Sequence, residues 1–336
     1  MEMQRWQVTR YGLQGLEHTQ ANVPEPGPGQ VLVLVRAASL NFRDLLIVED
    51  GMGMPLELPF TPGSDASGEV AAVGTGVTRW RVGDAVINTF WSGWWDGSRP
   101  ACSRPFGAPG PGVLASYVVF DEHDLVARPQ AWTPAQASLL PCAGLTAWTA
   151  LVENGALRAG QTVLIHGTGG VALFGLQVAR MHGARTVVVT SAAAKRERVV
   201  ALGATHAVLR SDEDWVAQVR RFTEGRGVDH VLETAGGENL GKSVELLAPG
   251  GRVAAIGMLA GTDMRLPFYP TIMNRATVQG VGVGHRRSLE EMVRAVDANP
   301  FEPVVDASFP FERVPEALAR LREGAFGKIV VTMPAS

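Results

Sequence analysis

Two glycines and an alanine carry the clearest chemistry in this chain. The stretch QTVLIHGTGGVALFGLQVARM (161–181) reads as strand, turn and helix, and Gly167, Gly169 and Ala172 fill a G-x-G-x-x-G/A pattern. Gly167 permits a sharp turn, Gly169 lets backbone approach a pyrophosphate, and Ala172 allows close packing of helix on strand. The backbone N–H groups of Gly170 and Val171 then open the helix and face the phosphates. Residues 162–191 make a complete βαβ unit of the size that a dinucleotide site needs. The end of its second strand selects the nucleotide. An Asp or Glu there accepts from the ribose hydroxyls of NAD, but this strand ends Thr190-Ser191-Ala192, with Lys195, Arg196 and Arg198 following. Hydroxyls and cations without a carboxylate suit a 2′-phosphate, so the expected cofactor is NADP(H), held best by Ser191 and Lys195.

A second glycine motif competes with this one. Residues 236–243, GGENLGKS, satisfy G-x-x-x-x-G-K-[ST] after a strand and before a helix, the context of a phosphate-binding loop. The next strand, RVAAIG (252–257), ends without the aspartate that would help hold Mg²⁺, so a P-loop NTPase stays an alternative rather than the main reading. Other constellations are missing. None of the three tyrosines opens Y-x-x-x-K, no G-x-S-x-G occurs, and the seven histidines form no H-E-x-x-H pair. His123, in DEHDL, reads as an exposed loop histidine.

The elements that must position these residues fall into two textures. From 162 onward, apolar runs with strand character (TVLIHG, TVVVTS, DHVLETA, RVAAIG) alternate with segments of helical period (VALFGLQVARM, AKRERVVALGA, KSVELLA). Near-continuous apolar strands in βαβα alternation predict a parallel sheet covered on both faces. The first hundred-odd residues instead hold short strand-like runs between turns, such as PEPGPG (24–29), VLVLVRA (31–37) and the 68–86 stretch. They predict a partly barrel-like β unit. The tail, PEALARLREGAFGKIVVTM, adds one helix and a last strand.

Length and composition agree with two domains. At ~150 residues per domain, 336 residues with 46% hydrophobic content supply two cores. With 30 basic against 33 acidic residues, the net charge of −3 gives no basic surplus for nucleic acid or anionic membrane. Only Cys102 and Cys142 occur, too few for a disulfide framework or a four-cysteine zinc lobe, and a reducing cytoplasm fits best. The N-terminus shows no signal peptide, and the uncharged stretch 129–152, broken by prolines and polar residues, reads as a buried linker and helix rather than a membrane span.

At this point several strings together resemble a known family. ASLNFRDLL (38–46), PGSDASGEVAAVGTGV (62–77), LLPCAGLTAWTAL (139–151) and HGTGGVALFGLQVA (166–179) resemble the medium-chain dehydrogenase/reductase superfamily, in its zinc-free, quinone-oxidoreductase-like branch. ALGATHAV, GRGVDHVLET, LAPGGRVAAIG and FGKIVV extend the likeness over nearly the whole chain. The resemblance implies an α/β fold: a doubly wound Rossmann domain (128–283) inserted into a GroES-like β-rich catalytic domain (1–127 and 284–336). The positions that resemble the catalytic zinc ligands are Asn41, Ser64 and Cys142, with Asp65 in place of the neighbouring Glu. One thiolate cannot hold zinc, which needs three protein ligands, so no metal is expected.

Carried over by position, the nicotinamide contacts are Asn41, Thr146, Ala235, Gly236, Ile256, Gly257, Met258, Val281, Gly282 and Lys328, with Arg210 near the adenosine phosphate. A ketone without a Lewis acid has nothing to hold the alkoxide that hydride addition creates, whereas a quinone or enone spreads that charge over its conjugated system. The expected reaction is therefore hydride transfer from NADPH to a conjugated carbonyl. Asn41 and Arg43 are the candidate donors to the acceptor oxygen, and Asp44 braces their loop. A structural ion pair is the other reading of Arg43. The segment FWSGWWDGSRPACSRPF (90–106) replaces the cysteine lobe of the zinc enzymes. Its rings must be covered, either by packing on their own domain or a homodimer partner, or, for Trp94 and Trp95, by an acceptor stacked in the cleft. A redox-inactive NADPH-binding scaffold remains the third class.

Overall fold

The computed structural model describes residues 1–333, and the order of elements follows the hydrophobic periods. The first stretch holds β1 (Glu2–Val8), β2 (Leu16–Asn22), β3 (Gln30–Leu40), α1 (Phe42–Asp50), β4 (Asp65–Val73), β5 (Ala85–Asn88), β6 (Trp91–Ser92), β7 (Arg104–Pro105), β8 (Tyr117–Asp121), β9 (Leu125–Ala127) and α2 (Pro134–Ala137). The middle holds α3 (Leu145–Trp148), β10 (Thr162–His166), α4 (Gly170–Met181), β11 (Arg185–Thr190), α5 (Ala193–Ala201), β12 (His206–Leu209), α6 (Trp215–Phe222), β13 (Val228–Glu233), α7 (Asn239–Glu245), β14 (Leu247–Ala255), α8 (Phe268–Met273) and β15 (Thr277–Gly280). The last stretch holds α9 (Arg286–Ala298), β16 (Val305–Pro310), α10 (Val314–Arg322) and β17 (Lys328–Thr332).

In the β-rich unit, β3 is the axis of a seven-stranded sheet. The order runs β16-β17-β3-β4-β5-β9, with β8 also pairing β3. β17 runs antiparallel to β3 with Ile329 opposite Leu40, and β4 does so with Asp65 opposite Ser39. The last strand of the chain is thereby a neighbour of the third, and its first residue comes level with the end of β3. Val31, Val33, Val35, Leu40, Val86, Phe311 and Ile329 are among the buried residues that close this core.

The middle unit is one parallel sheet in the order β12-β11-β10-β13-β14-β15. That is the doubly wound order, reversing between β10 and β13. Its central strands β10 and β13 are buried throughout, as a sheet covered on both faces requires.

Contacts within the chain group Met1–Leu145 with the chain from Gly284 onward, and Thr146–Val283 by itself. The sequence pattern puts the first joint at 127/128. Residues 128–145 group with the β-rich unit because α2 packs on β3, β4 and β17, and Ser138 O accepts from Ser39 Oγ at 2.8 Å. The helical run Pro134–Glu153 is long and apolar enough to cross a membrane, but 78% of it is buried inside the fold.

Candidate functional site

Three strand ends meet at a buried polar cluster in the β-rich unit. β3 hands over to Asn41 ahead of α1, β4 begins at Asp65, and β17 begins at Lys328. Asn41 Nδ2 donates to Asp65 Oδ2 at 2.8 Å and to Ser64 Oγ at 3.1 Å, while Asn41 Oδ1 accepts from Lys328 Nζ at 2.5 Å. Lys328 Nζ also donates to Leu40 O at 2.7 Å and lies 3.8 Å from Asp65 Oδ2. Ser64 Oγ donates to Asp65 Oδ1 at 2.9 Å. Burial pushes the Asp65 carboxyl up, and the Lys328 ammonium is the largest influence pulling it back. Both amide hydrogens of Asn41 are spent inside the cluster, so the structure brings together Asn41 and Lys328 but gives Asn41 no free hydrogen.

Arg43 and Asp44 sit beside this cluster. Arg43 donates from Nη1 to Phe106 O and from Nη2 to Ala108 O, each at 3.0 Å, and stands 5.1 Å over the Phe90 ring. It braces the 90–108 segment and also lies 3.7 Å from Asp44 Oδ1. Asp44 accepts from Asn41 N at 2.8 Å through Oδ2, which fixes the start of α1, and its Oδ1 has no hydrogen-bond partner. Burial pushes the Asp44 carboxyl up to about 6, opposed first by Arg43 and reinforced by the charge of Asp65.

The residues at the positions that resemble zinc ligands do not fit the ion. They are an amide, a hydroxyl and a thiol, and burial pushes the Cys142 thiol far above its usual range, so that it holds its proton. Zinc needs a thiolate, neutral imidazoles or carboxylates around an open position. Here an ammonium lies among these groups. Among the described residues no three His, Cys, Asp or Glu side chains are grouped to hold a metal.

In the parallel unit the glycine turn has the expected form. Gly167 lies at φ 85°, where L side chains are strained, and its N–H donates to Val189 O at 2.8 Å. Gly169 precedes α4, whose first residues are Gly170 and Val171. Gly175 lets α4 approach the sheet closely, since a Cβ there would stand 2.1 Å from Leu232 Cδ1. At the end of β11, Thr190 is buried with Oγ1 unpartnered, and Arg210 N donates to Thr190 O at 2.7 Å. Ser191 and Arg210 are exposed and Lys195 half-exposed. Thr146 is buried.

Residues 234–237 and 256–258 lie backbone to backbone. A Cβ on Gly257 would stand 1.9 Å from Thr234 O, and one on Gly236 2.6 Å from Gly257 O. Ile256 N and Gly257 N both donate to Glu233 O, and Ala260 N to Ala235 O. Val281 N donates to Ala255 O just past β15, with Gly282 next to it at the surface. Met258 is half-exposed.

The competing phosphate-loop motif is filled from within. Glu233 Oε1 accepts from Ala235 N at 2.9 Å and Gly236 N at 3.1 Å, and Oε2 from Asn239 Nδ2 and Ser243 Oγ, each at 2.7 Å. The donors that a nucleotide phosphate would use hold the chain's own buried carboxylate, and Lys242 Nζ lies 5.9 Å over the Trp215 ring. Sequence spacing shows the donors and not the anion, and the one signal for Glu233 is an acid closing the otherwise apolar end VLE of β13.

Phe90 and Phe106 of the aromatic segment are buried, while Trp95 stays 42% exposed. Trp94 meets His285 edge-on at 5.6 Å and Trp91 at 6.4 Å, and Trp95 stands 4.6 Å from His123. Trp94 O and Trp95 O accept from Arg286 N and Arg287 N at the start of α9, each at 3.1 Å. Asp124 accepts from Ser92 Oγ at 2.6 Å, Gly93 N at 2.9 Å and Trp95 Nε1 at 3.3 Å.

Comparisons with known proteins cover both units. Residues 27–130 match the alcohol dehydrogenase GroES-like domain and residues 170–298 the zinc-binding dehydrogenase domain. A zinc-type alcohol dehydrogenase-like protein of Schizosaccharomyces pombe is 35% identical over 331 residues, covering 95% of this chain and 96% of that protein. Human quinone oxidoreductase is 26% identical over 93% of this chain and 91% of its own length. A candidate alcohol dehydrogenase from Sinorhizobium meliloti 1021 superposes with TM-score 0.95 at 48% identity, covering 98% of both chains. An NAD-dependent alcohol dehydrogenase gives 0.91 at 30%, over 98% of this chain and 100% of that one. A crotonyl-CoA carboxylase/reductase in complex with NADP gives 0.86 at 26%, over 98% and 94%.

Proposed function

As a member of the medium-chain dehydrogenase/reductase superfamily the chain is an oxidoreductase, and we propose that it moves hydride from NADPH to a conjugated carbonyl, a quinone or an enone, without zinc. The observation that carries this reading is the Lys328 ammonium, held by Asn41, Leu40 and Asp65 among the groups at the ligand positions. With no Lewis acid to hold an alkoxide, an acceptor that delocalises its own charge is favoured. The likeness to human quinone oxidoreductase and to a crotonyl-CoA reductase, whose substrate by name is a conjugated thioester, supports it.

The reduced dinucleotide, when bound, supplies the hydride. Backbone N–H groups of Gly170 and Val171 take its pyrophosphate at the turn that Gly167 and Gly169 shape, and Ser191, Lys195 and Arg210 take its 2′-phosphate. Thr146, Ala235, Gly236, Ile256, Gly257, Met258, Val281 and Gly282 shape the nicotinamide side. Solved relatives include an NAD-dependent and an NADP-bound protein, so the choice of nucleotide rests on the carboxylate-free end of β11. Lys328 fixes the amide plane of Asn41 and offsets Asp65, Arg43 and Asp44 hold the loop around them, and water supplies the proton. Trp94 and Trp95 contact bulky acceptors only if their alanine variants raise KM for an aryl enone more than for a small enone, and an equal change with a lowered Tm assigns them to packing.

The protein is further read as a homodimer in a reducing cytoplasm. Both cysteines are free thiols, and edge strand β15 follows a run of exposed apolar residues that includes Leu259, Phe268, Tyr269, Ile272 and Met273. Titration with NADPH and NADH, then turnover against a panel of quinones, enones and aldehydes, tests the reading. Tighter NADH binding removes the NADP assignment, and a silent panel with NADPH bound favours the redox-inactive scaffold.

A further inference from the structure

Glu233 has no exposed surface, and its carboxyl accepts from four neutral donors, with His166 Nε2 3.6 Å from Oε2. The donors come from two places. Ala235 N and Gly236 N belong to the loop that follows β13, and Asn239 Nδ2 and Ser243 Oγ come from α7. A third tie leads to the glycine turn. Burial lowers the His166 imidazole toward its neutral form, and its Nε2 lies 3.0 Å from Ser243 Oγ. Ser243 gives its hydrogen to Glu233, so His166 Nε2 carries a proton and donates to Ser243. His166 O in turn accepts from Thr234 Oγ1 at 2.5 Å, and Gly167 follows directly.

We propose that Glu233 is a positioning residue for the nicotinamide end of the dinucleotide: its buried carboxyl is the internal template on which loop 234–237 is moulded, and its backbone oxygen seats the 256–258 turn. Gly236 and Gly237 sit at positive φ, 72° and 59°, and their loop carries no regular pairing to hold that shape. Two N–H groups converging on Oε1 supply it. The same residue's backbone oxygen receives Ile256 N and Gly257 N, so one residue sets both segments proposed for the nicotinamide side. This inference rests on the reading of those segments as nicotinamide contacts.

Glu233→Gln tests it, because the amide turns two hydrogens toward Asn239 and Ser243, which are themselves donors. The readouts are NADPH affinity, the fluorescence of bound reduced nicotinamide, and affinity for 2′,5′-ADP, which has no nicotinamide and reaches only the β11 end and the glycine turn. Losing charge-assisted hydrogen bonds to loop backbone should weaken NADPH roughly tenfold or more and remove the fluorescence enhancement. Affinity for 2′,5′-ADP should stay within about twofold of the parent, because the Glu233 side chain makes no hydrogen bond to the β11 end or to residues 167–171. Glu233→Asp should recover part of the loss. If Glu233→Gln does not fold, Ser243→Ala removes one donor and should show the same split at smaller size. Equal weakening of both ligands, or of neither, overturns the proposal. If the parent prefers NADH, the cofactor reading fails on its own, and the same split is then measured with NADH against 5′-AMP.

Discussion

Asp65 in the β-rich unit and Glu233 in the parallel unit are both fully buried, and their surroundings balance them in opposite ways. In the β-rich unit, Asp65 faces an ammonium, with Asn41 and Ser64 filling its remaining lone pairs. In the parallel unit, Glu233 accepts from two backbone N–H groups, an amide and a hydroxyl, with the His166 imidazole 3.6 Å away. Removing one partner from a buried ion pair strands the other charge, whereas a carboxylate held by several neutral donors loses one bond at a time. The first arrangement is therefore an all-or-none charge balance at the place that resembles a metal site. The second moulds backbone and fails in steps.

The largest break in that comparison comes from Lys328. Lys328→Met leaves Asp65 as a buried, uncompensated charge and should cost about 3–5 kcal/mol of stability in urea denaturation. Adding Asp65→Asn should recover much of it, and a double variant as unstable as the single one would show that the pair does not balance charge.

A smaller effect distinguishes Asp44 by pH. Its folded pKa, pushed up to about 6, lies above the ordinary 3.8, so the folded state binds its proton more tightly than the unfolded state. The stability this adds is present below pH ~4 and is lost as pH rises through about 6. Asp44→Asn cannot ionise, so its stability relative to the parent should improve by up to about 3 kcal/mol between pH 4 and 7. A constant difference across that range would remove Asp44 as a strained acid.

In the parallel unit the expected changes are smaller and confined to binding. Lys195→Ala should weaken NADPH by about tenfold with little change for NADH, because a half-exposed charge-assisted contact contributes near the low end of its range. Equal losses for both nucleotides would place Lys195 in the fold instead. Smallest of all, Lys242→Ala should leave hydride transfer unchanged and ATP should not compete with NADPH, since Glu233 fills the loop. Mg²⁺-dependent ATP hydrolysis lost in that variant would restore the phosphate-loop reading.

Local pattern made one of these units far more legible than the other. The parallel sheet, its glycine turn and the hydroxyl end of β11 follow from runs of apolar residues and from spacing within a few turns of chain. The charge balance of Asp65 does not, because it requires β17 to pair with β3, which brings Lys328 beside Asp65 and beside Asn41, 287 residues away in sequence. Lys328 is legible as a nicotinamide contact that the resemblance implies, and Asn41 as a donor, with no sign that the two are paired or that the hydrogens of Asn41 are committed. Arg43 showed the same limit, since its carbonyl partners Phe106 and Ala108 lie beyond sixty residues of turns. Residues 236–243 were legible as a ring of donors, while the anion they hold precedes the motif by three residues.

The claim that joins these observations is hydride transfer from NADPH without a metal. Its most direct measurement is NADPH oxidation with a quinone or enone acceptor on protein of known zinc content, before and after treatment with a chelator. The account predicts less than stoichiometric zinc and unchanged turnover. One tightly bound zinc per chain, with activity lost on chelation and restored by zinc, would contradict it.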